Sequence, residues 1–338
     1  MASAAEVMAV IGALALAALL GVSDAPNAIA ALVSSRTRSY QAVAGWSVAW
    51  HLIGGLLAGT IVARTTVEMV HVPPDLLAPV LGAGCWSAVL FTWWTTRRGF
   101  PTSASVGLVG GLAGAGLAAQ GWRGVDWGGL DGLRLVGVLG VLLGILLAPL
   151  VAGSAALAID RLVHPASLRL RRGAARPIRA GVWVASAAVA FADGTNDGQK
   201  AMGVLAASLS GVAVLRPGGG GIGWPVRVSC ALLLAVFSAL GGRQVVTTVA
   251  RRLWRSTTPD DLAAQSSAAA VIFLAAWRGL PLSTSTVVTS AKVGAGVSRR
   301  PRHVQRRQAI RILETWLLTV PACGIVGALL VGAWRLTR

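Results

Sequence analysis

Two short polar strings interrupt long apolar runs in opposite halves of this 338-residue chain: Gly21-Val22-Ser23-Asp24-Ala25-Pro26-Asn27-Ala28 and Gly194-Thr195-Asn196-Asp197-Gly198-Gln199-Lys200-Ala201. Each brings a carboxylate, an amide side chain and residues that loosen a helix. A carboxylate in hydrocarbon is expensive, so an acid there marks a pathway for an ion or a substrate. Asp24 and Asp197 can hold Na+ beside loosened backbone carbonyls, or carry a proton where burial favours the neutral acid. Asn27, Asn196 and Gln199 both donate and accept, and suit either an ion or an oxyanion. Lys200 would neutralise an anion or pair with an aspartate; the plainer account is a lysine snorkelling from a helix end. Asp193 adds a third acid, as a proton-coupling group or as a solvated residue at a cavity rim.

A second pair of motifs complements the first. Arg98-Gly99-Phe100-Pro101-Thr102-Ser103-Ala104-Ser105 returns as Arg278-Gly279-Leu280-Pro281-Leu282-Ser283-Thr284-Ser285, and Gly114-Ala115-Gly116 returns as Gly294-Ala295-Gly296 at the same offset. Pro101 and Pro281 suit the first turn of a helix, where a missing N–H costs nothing. Ser103, Ser105, Ser283 and Ser285, with Thr284, fall in that turn. A helix that begins inside the membrane has free N–H groups and a positive dipole end. Hydroxyl donors added to it make an anion cradle. Two such cradles face to face would suit a tetrahedral oxyanion; the plainer account is ordinary capping serines.

The elements that must position these residues are membrane helices. The chain is 55% hydrophobic and 12% charged. Apolar runs cover 5–33, 41–63, 76–96, 103–120, 133–160, 181–215, 226–250, 262–277, 280–298 and 309–334. Most reach the roughly 18–20 residues that span a hydrocarbon core, and they lack the polar face of a soluble helix. The expected fold is an all-α polytopic membrane protein. The first run carries Glu6 where a signal peptide has basic residues, and is expected to be a retained helix. The net charge of +18 comes from arginines crowded into loops, as the positive-inside rule expects. It points to anionic lipids rather than nucleic acid. Cys85, Cys230 and Cys323 have no metal spacing and read as core residues. His71, His164 and His303 read as solvated. His51, near Trp46 and Trp50, reads as a packing histidine, with a proton relay as the alternative. Lys292 has no assigned role.

The order of motifs repeats, so the chain divides into a first repeat (1–160), a basic connecting loop (161–180) and a second repeat (181–338). Loops bearing Arg36 and Arg38, Arg161 to Arg179, Arg251 to Arg255 and Arg299 to Arg311 are placed in the cytoplasm. Pro217–Pro225 and both termini are placed outside, in a plasma (inner) membrane. Run 5–33 then goes inward and run 181–215 outward, so the repeats have opposite topology. The stretches 76–120 and 262–298 are re-entrant hairpins or pairs of full spans. Inverted repeats with interrupted helices are a build of secondary transporters, with the site near the midplane.

These residues resemble the inorganic phosphate transporter (PiT) family, whose halves carry Gly-X-Asn/His-Asp-X-X-Asn-Ala and His-Gly-X-Asn-Asp-X-Gln-Lys-X-Met-Gly. Here the second signature reads Ala192-Asp193-Gly194-Thr195-Asn196-Asp197-Gly198-Gln199-Lys200-Ala201-Met202-Gly203. The serine elements resemble the family's Gly-X-Pro-X-Ser-Thr-Thr-His, and Thr60-Ile61-Val62-Ala63-Arg64-Thr65 resembles a further stretch of its first half. The resemblance spans essentially the whole chain. It implies an inverted-repeat fold and import of inorganic phosphate by symport with Na+ or H+, through alternating access. Asp24, Asp197 and Asp193 would serve the coupling ion. Ser103, Ser105, Ser283, Thr284, Ser285, Asn27, Asn196, Gln199 and Lys200 would serve the anion.

Departures stand at Ser23 (Asn or His in the family), Asp193 (His), Ala104 and Val106 (Thr and His), and Ser285 and Thr286 (Thr and His). Ala104 removes one hydroxyl donor. Sulfate is the rival substrate, since relatives carry it. A transport-inactive relative acting as sensor or scaffold is a further alternative, and an anion channel another. An intramembrane enzyme is excluded for want of a nucleophile with its base or a metal cluster. No cofactor is expected beyond a bound Na+, and a homo-oligomer is compatible with the sequence.

Overall fold

The computed structural model describes residues 3–34, 39–98, 102–131, 134–169, 175–215, 218, 220–240, 257–298 and 306–337. Eleven helices are described: α1 (Ala4–Ser34), α2 (Tyr40–Leu56), α3 (Ile61–Glu68), α4 (Pro74–Arg97), α5 (Ala104–Gln120), α6 (Gly137–Arg169), α7 (Ala175–Ser210), α8 (Trp224–Leu240), α9 (Thr258–Trp277), α10 (Thr284–Val297) and α11 (Arg306–Leu336). A three-residue antiparallel hairpin, β1 (Gly129–Asp131) with β2 (Arg134–Val136), leads into α6. The protein is an all-α polytopic membrane protein. Five stretches are long and apolar enough to cross a bilayer: Ala4–Val33, Pro74–Arg97, Ala104–Gly124, Gly137–Pro165 and Leu317–Leu336. A sixth would be the pair α2 and α3, bent by 74°.

The packing pattern is that of a two-fold repeat. α1 packs on α4 and α4 on α5, as α7 packs on α9 and α9 on α10. The central helices interlock: α1 lies on α8 as α7 lies on α2, while α1 touches α7 and α2 touches α8. The last helix of each repeat is exchanged. α6 packs on α9 and α10, whereas α11 packs on α4 and α5. The repeat boundary in sequence is therefore not a boundary in space. The partner of α3 in the second half would fall in 241–256, outside the described residues.

Glycines set the close approaches. The Gly114 and Gly294 of the repeated Gly-Ala-Gly each lie against a glycine of an exchanged helix, Gly324 on α11 and Gly153 on α6. A Cβ at either position would collide with that backbone. Gly21 and Gly194, each three residues before its aspartate, meet the carbonyls of Leu234 on α8 and His51 on α2. The repeated glycines thus bring each aspartate string against the other half.

Both aspartate strings were expected to interrupt their helices, yet α1 and α7 run through them without a break. The polar side chains fold back onto their own helix instead. The Ser23 hydroxyl donates to the Leu20 carbonyl (3.3 Å), Thr195 to Ala192 (2.7 Å), and the Gln199 amide to Thr195 (2.9 Å). Bonds of this kind satisfy a short polar side chain without ending the helix. Chain breaks fall instead between α2 and α3 and between α9 and α10, where Gly279 takes a φ of 78°. Pro281 is not in the first turn of α10. It stands two residues before the capping Ser283, in the non-helical stretch that leads into the helix. Pro101 lies outside the described residues.

Gly114→Ala and Gly294→Ala should each cost about 1–3 kcal/mol, because the neighbouring backbone must move. Gly45→Ala, with open space around it, should cost nothing. Thermal unfolding in detergent tests this, and equal midpoints for all three variants would contradict the packing.

Candidate functional site

Lys200 is the hub. It lies on α7 one turn after Asp197, so the two side chains share a helix face. Its ammonium has no solvent exposure. It donates to Asp197 Oδ1 at 2.5 Å, to Ser105 Oγ at 2.8 Å and to the Leu282 carbonyl at 2.5 Å. Three donors meet three acceptors, which uses the capacity of the group. A buried ion pair is tolerable when such extra hydrogen bonds replace lost hydration. Lys200 therefore does not snorkel; it ties the α5 element and the α10 element to the second aspartate.

Both serine elements cap their helices, as the plainer account expected, and reach further. Ser103 is the N-cap of α5 and accepts from Val106 N (3.3 Å); Ser283 is the N-cap of α10 and accepts from Thr286 N (3.4 Å). Their side chains are buried. Hydroxyls in the two first turns reach toward α7 and α1. Ser105 holds Lys200, Thr284 donates to Asp197 Oδ2 (3.3 Å), and Ser285 lies 3.4 Å from Ser283 and faces Asp24. Two helix N-termini thus converge on one lysine, each with a hydroxyl in its first turn. The position matching Thr284 is Ala104, which brings no hydroxyl. Asp24 takes a bond from its neighbour Ser23 at 3.3 Å.

The amides of the second string serve as braces. Asn196 donates to the Leu280 carbonyl (3.0 Å) and accepts from Leu282 N (3.1 Å), so it reads the backbone before α10 like a neighbouring strand. That contact aims the Leu282 carbonyl at Lys200. Gln199 accepts from Val62 N (2.9 Å), one of the free donors at the start of α3, while its NH2 holds Thr195 O. Gln199 thereby pins the bend between α2 and α3. The Asn27 side chain lies outside the described residues.

Three acids surround this centre. Asp24, Asp193 and Asp197 are all buried, and Asp24 feels Asp197, Asp193 and Lys200 electrostatically. Asp193 is only 1% exposed, so it is not a solvated rim residue. Neither of its oxygens accepts a hydrogen bond among the described residues. Across from it, 3.8 Å from Oδ2, stands His51 Nε2 on α2. Spacing along the chain could not reveal this pairing, which depends on α2 crossing α7 at Gly194. The Leu282 carbonyl was equally hidden, since a backbone acceptor has no residue type to betray it. The three cysteines are free and buried, and Lys292 lies near Asp261.

The arrangement combines donors for an anion, from two helix N-termini and Lys200, with carboxylates for a cation or proton. The sequence matches the model of the phosphate transporter family twice, over residues 20–175 and 160–327. A Mycobacterium bovis protein named "Probable low-affinity inorganic phosphate transporter" is 33% identical over 328 residues, covering 96% of this chain and 76% of that one. A Rhizobium meliloti protein of the same name is 30% identical, covering 92% of this chain and 91% of its own. Among solved structures, one titled "The sodium-dependent phosphate transporter" superposes with a TM-score of 0.86. It is 21% identical, with 99% of this chain and 100% of that one covered.

Lys200→Ala strands the buried Asp197 and should destabilise the protein by about 3–5 kcal/mol. The double variant Asp197→Asn/Lys200→Met removes both charges and should recover most of that loss. Unfolding midpoints in detergent check both. A double variant no more stable than Lys200→Ala would show that the ion pair is not the source of the cost.

Proposed function

The chain belongs to the phosphate transporter family, and from that premise we propose that it imports inorganic phosphate by symport with H+ or Na+ through alternating access. It is a transporter, not an enzyme. The observation that carries the reading is the Lys200 tie between the α5 and α10 elements, which come from opposite repeats. A phosphate between the two N-termini would take over the ammonium now held by Ser105 and Leu282. It would gain the free N–H groups and hydroxyls of both first turns. Occupying the site would thereby loosen one connection between the repeats and replace it with the substrate. Closure around a bound anion, and opening to the other side after release, follow from that exchange.

The carboxylates favour phosphate over sulfate. Phosphate carries at least one proton near neutrality and can donate it to a carboxylate, whereas sulfate has none to give. A buried acceptor left unmatched by the wrong anion gives large discrimination. Buried Asp24, Asp193 and Asp197 supply the carboxylates that such a proton could reach. Their charge also requires a cation to enter with the anion, either Na+ beside Asp24 and Asp197 or a proton. The reading further places the protein in the plasma membrane with its basic 161–180 loop in the cytoplasm, in contact with anionic lipids.

Labelled phosphate uptake into proteoliposomes of the purified chain, under separate Na+ and H+ gradients and with excess sulfate, tests the reading. Accumulation indifferent to sulfate is expected; accumulation of sulfate in place of phosphate would refute it. Asp197→Asn should abolish gradient-driven uptake in protein that still reaches the membrane. Ala104→Thr should lower the apparent phosphate KM about fivefold, since a neutral hydrogen bond is worth about 1 kcal/mol. An unchanged or higher KM would remove the start of α5 from direct contact with the anion.

A further inference from the structure

His51 and Asp193 form a pair that the family signature does not contain, from helices that sequence spacing does not link. Their geometry specifies a proton. His51 Nδ1 lies 2.8 Å from the Ser47 carbonyl, which can only accept, so Nδ1 carries hydrogen. The Ser47 hydroxyl lies 3.2 Å from the same nitrogen. In the neutral imidazole Nε2 is then a bare acceptor, and it faces Asp193 Oδ2 at 3.8 Å. Two buried acceptors face each other; the Thr284 hydroxyl near Asp193 donates to Asp197 Oδ2. A lone buried acceptor is costly and two opposed ones more so. One proton resolves the conflict, as a carboxylic acid or as an imidazolium, and a small approach from 3.8 Å would let it bridge the two groups.

We propose that His51 and Asp193 bind one transported proton, making this carrier an H+-coupled one. The proposal rests on the transport reading above and names its coupling ion. The surroundings make the proton consequential. From α1, Asp24 acts on His51; from α7, Asp197 acts on both members and Lys200 on Asp193. From α10 the Thr284 hydroxyl stands near Asp193. From α9, Phe273 packs on Phe191, and from α8, Ala231 packs on Gly55, both apolar contacts. With the pair empty, the described site holds three carboxylates against one ammonium. A proton on the pair removes one negative charge before an anion enters, and losing it on the far side restores the repulsion that expels the anion. Gly194 sits where α7 crosses the His51 carbonyl, so any shift of α7 against α2 changes the distance between the two groups. Loading is thereby tied to the movement between repeats.

The test uses the full chain in sodium-free proteoliposomes with labelled phosphate. Native protein should accumulate phosphate when the outside is acidic. His51→Gln and Asp193→Asn should each lose that accumulation at least tenfold. His51→Gln should still exchange labelled for unlabelled phosphate at equal pH, a readout that a merely structural role would not spare. Three results would overturn the proposal: acid-driven accumulation at native level in both variants, native accumulation that appears only with a Na+ gradient, or loss of exchange together with accumulation in both variants. Native protein that neither exchanges nor accumulates phosphate would instead defeat the transport reading itself.

Discussion

The buried ammonium of Lys200 is the interaction on which the rest of the structure depends. A lysine with no access to water must find three acceptors, and here they come from three separate elements: Asp197 on its own helix, Ser105 at the start of α5, and the Leu282 carbonyl before α10. Meeting that demand brings the two serine elements to one point. Each neighbouring polar group then acts in support. Asn196 holds the backbone that presents Leu282, Thr284 takes the second oxygen of Asp197, and Gln199 fixes the bend beside α3. The two helix starts are thus held together by a cation of the protein's own.

The architecture allows this centre to be shared. Because α6 and α11 are exchanged between repeats, each serine helix is backed by a helix from the other half of the chain. The glycine contacts at Gly114 and Gly294 make that backing close, with backbone against backbone. Rigid contacts of this kind move as bodies and do not deform in place. Between these contacts lie the polar ones, at Lys200 and at the His51–Asp193 crossing. Tight apolar packing therefore surrounds a polar axis.

Much of this was legible in the sequence. Asp24, Asp197 and the paired serines stood out because polar groups are costly in an apolar run, and their repetition exposed the duplicated plan. The Arg-Gly-X-Pro-X-Ser-X-Ser elements did mark helix starts. Other features depended on three dimensions. The strings look like helix breakers, but Ser23, Thr195 and Gln199 bond to their own helices and keep α1 and α7 continuous. Pairing of Lys200 with an aspartate could be read from the sequence, but its other acceptors, 82 and 95 residues away, are invisible to local spacing. Asp193 stood open between a proton-coupling group and a solvated residue because its histidine lies on another helix. The exchange of α6 and α11 leaves no mark on hydropathy, since either arrangement buries the same apolar faces.

The central claim is that the Lys200–Asp197 pair serves the anion and that the fold can do without its charges. Equilibrium binding of labelled phosphate to the purified Asp197→Asn/Lys200→Met double variant tests it most directly, alongside its unfolding curve. The account predicts protein that unfolds cooperatively yet binds no phosphate at concentrations that saturate the native chain. Binding at native strength by that folded variant would contradict it, and would move the phosphate site away from the point where the two halves meet.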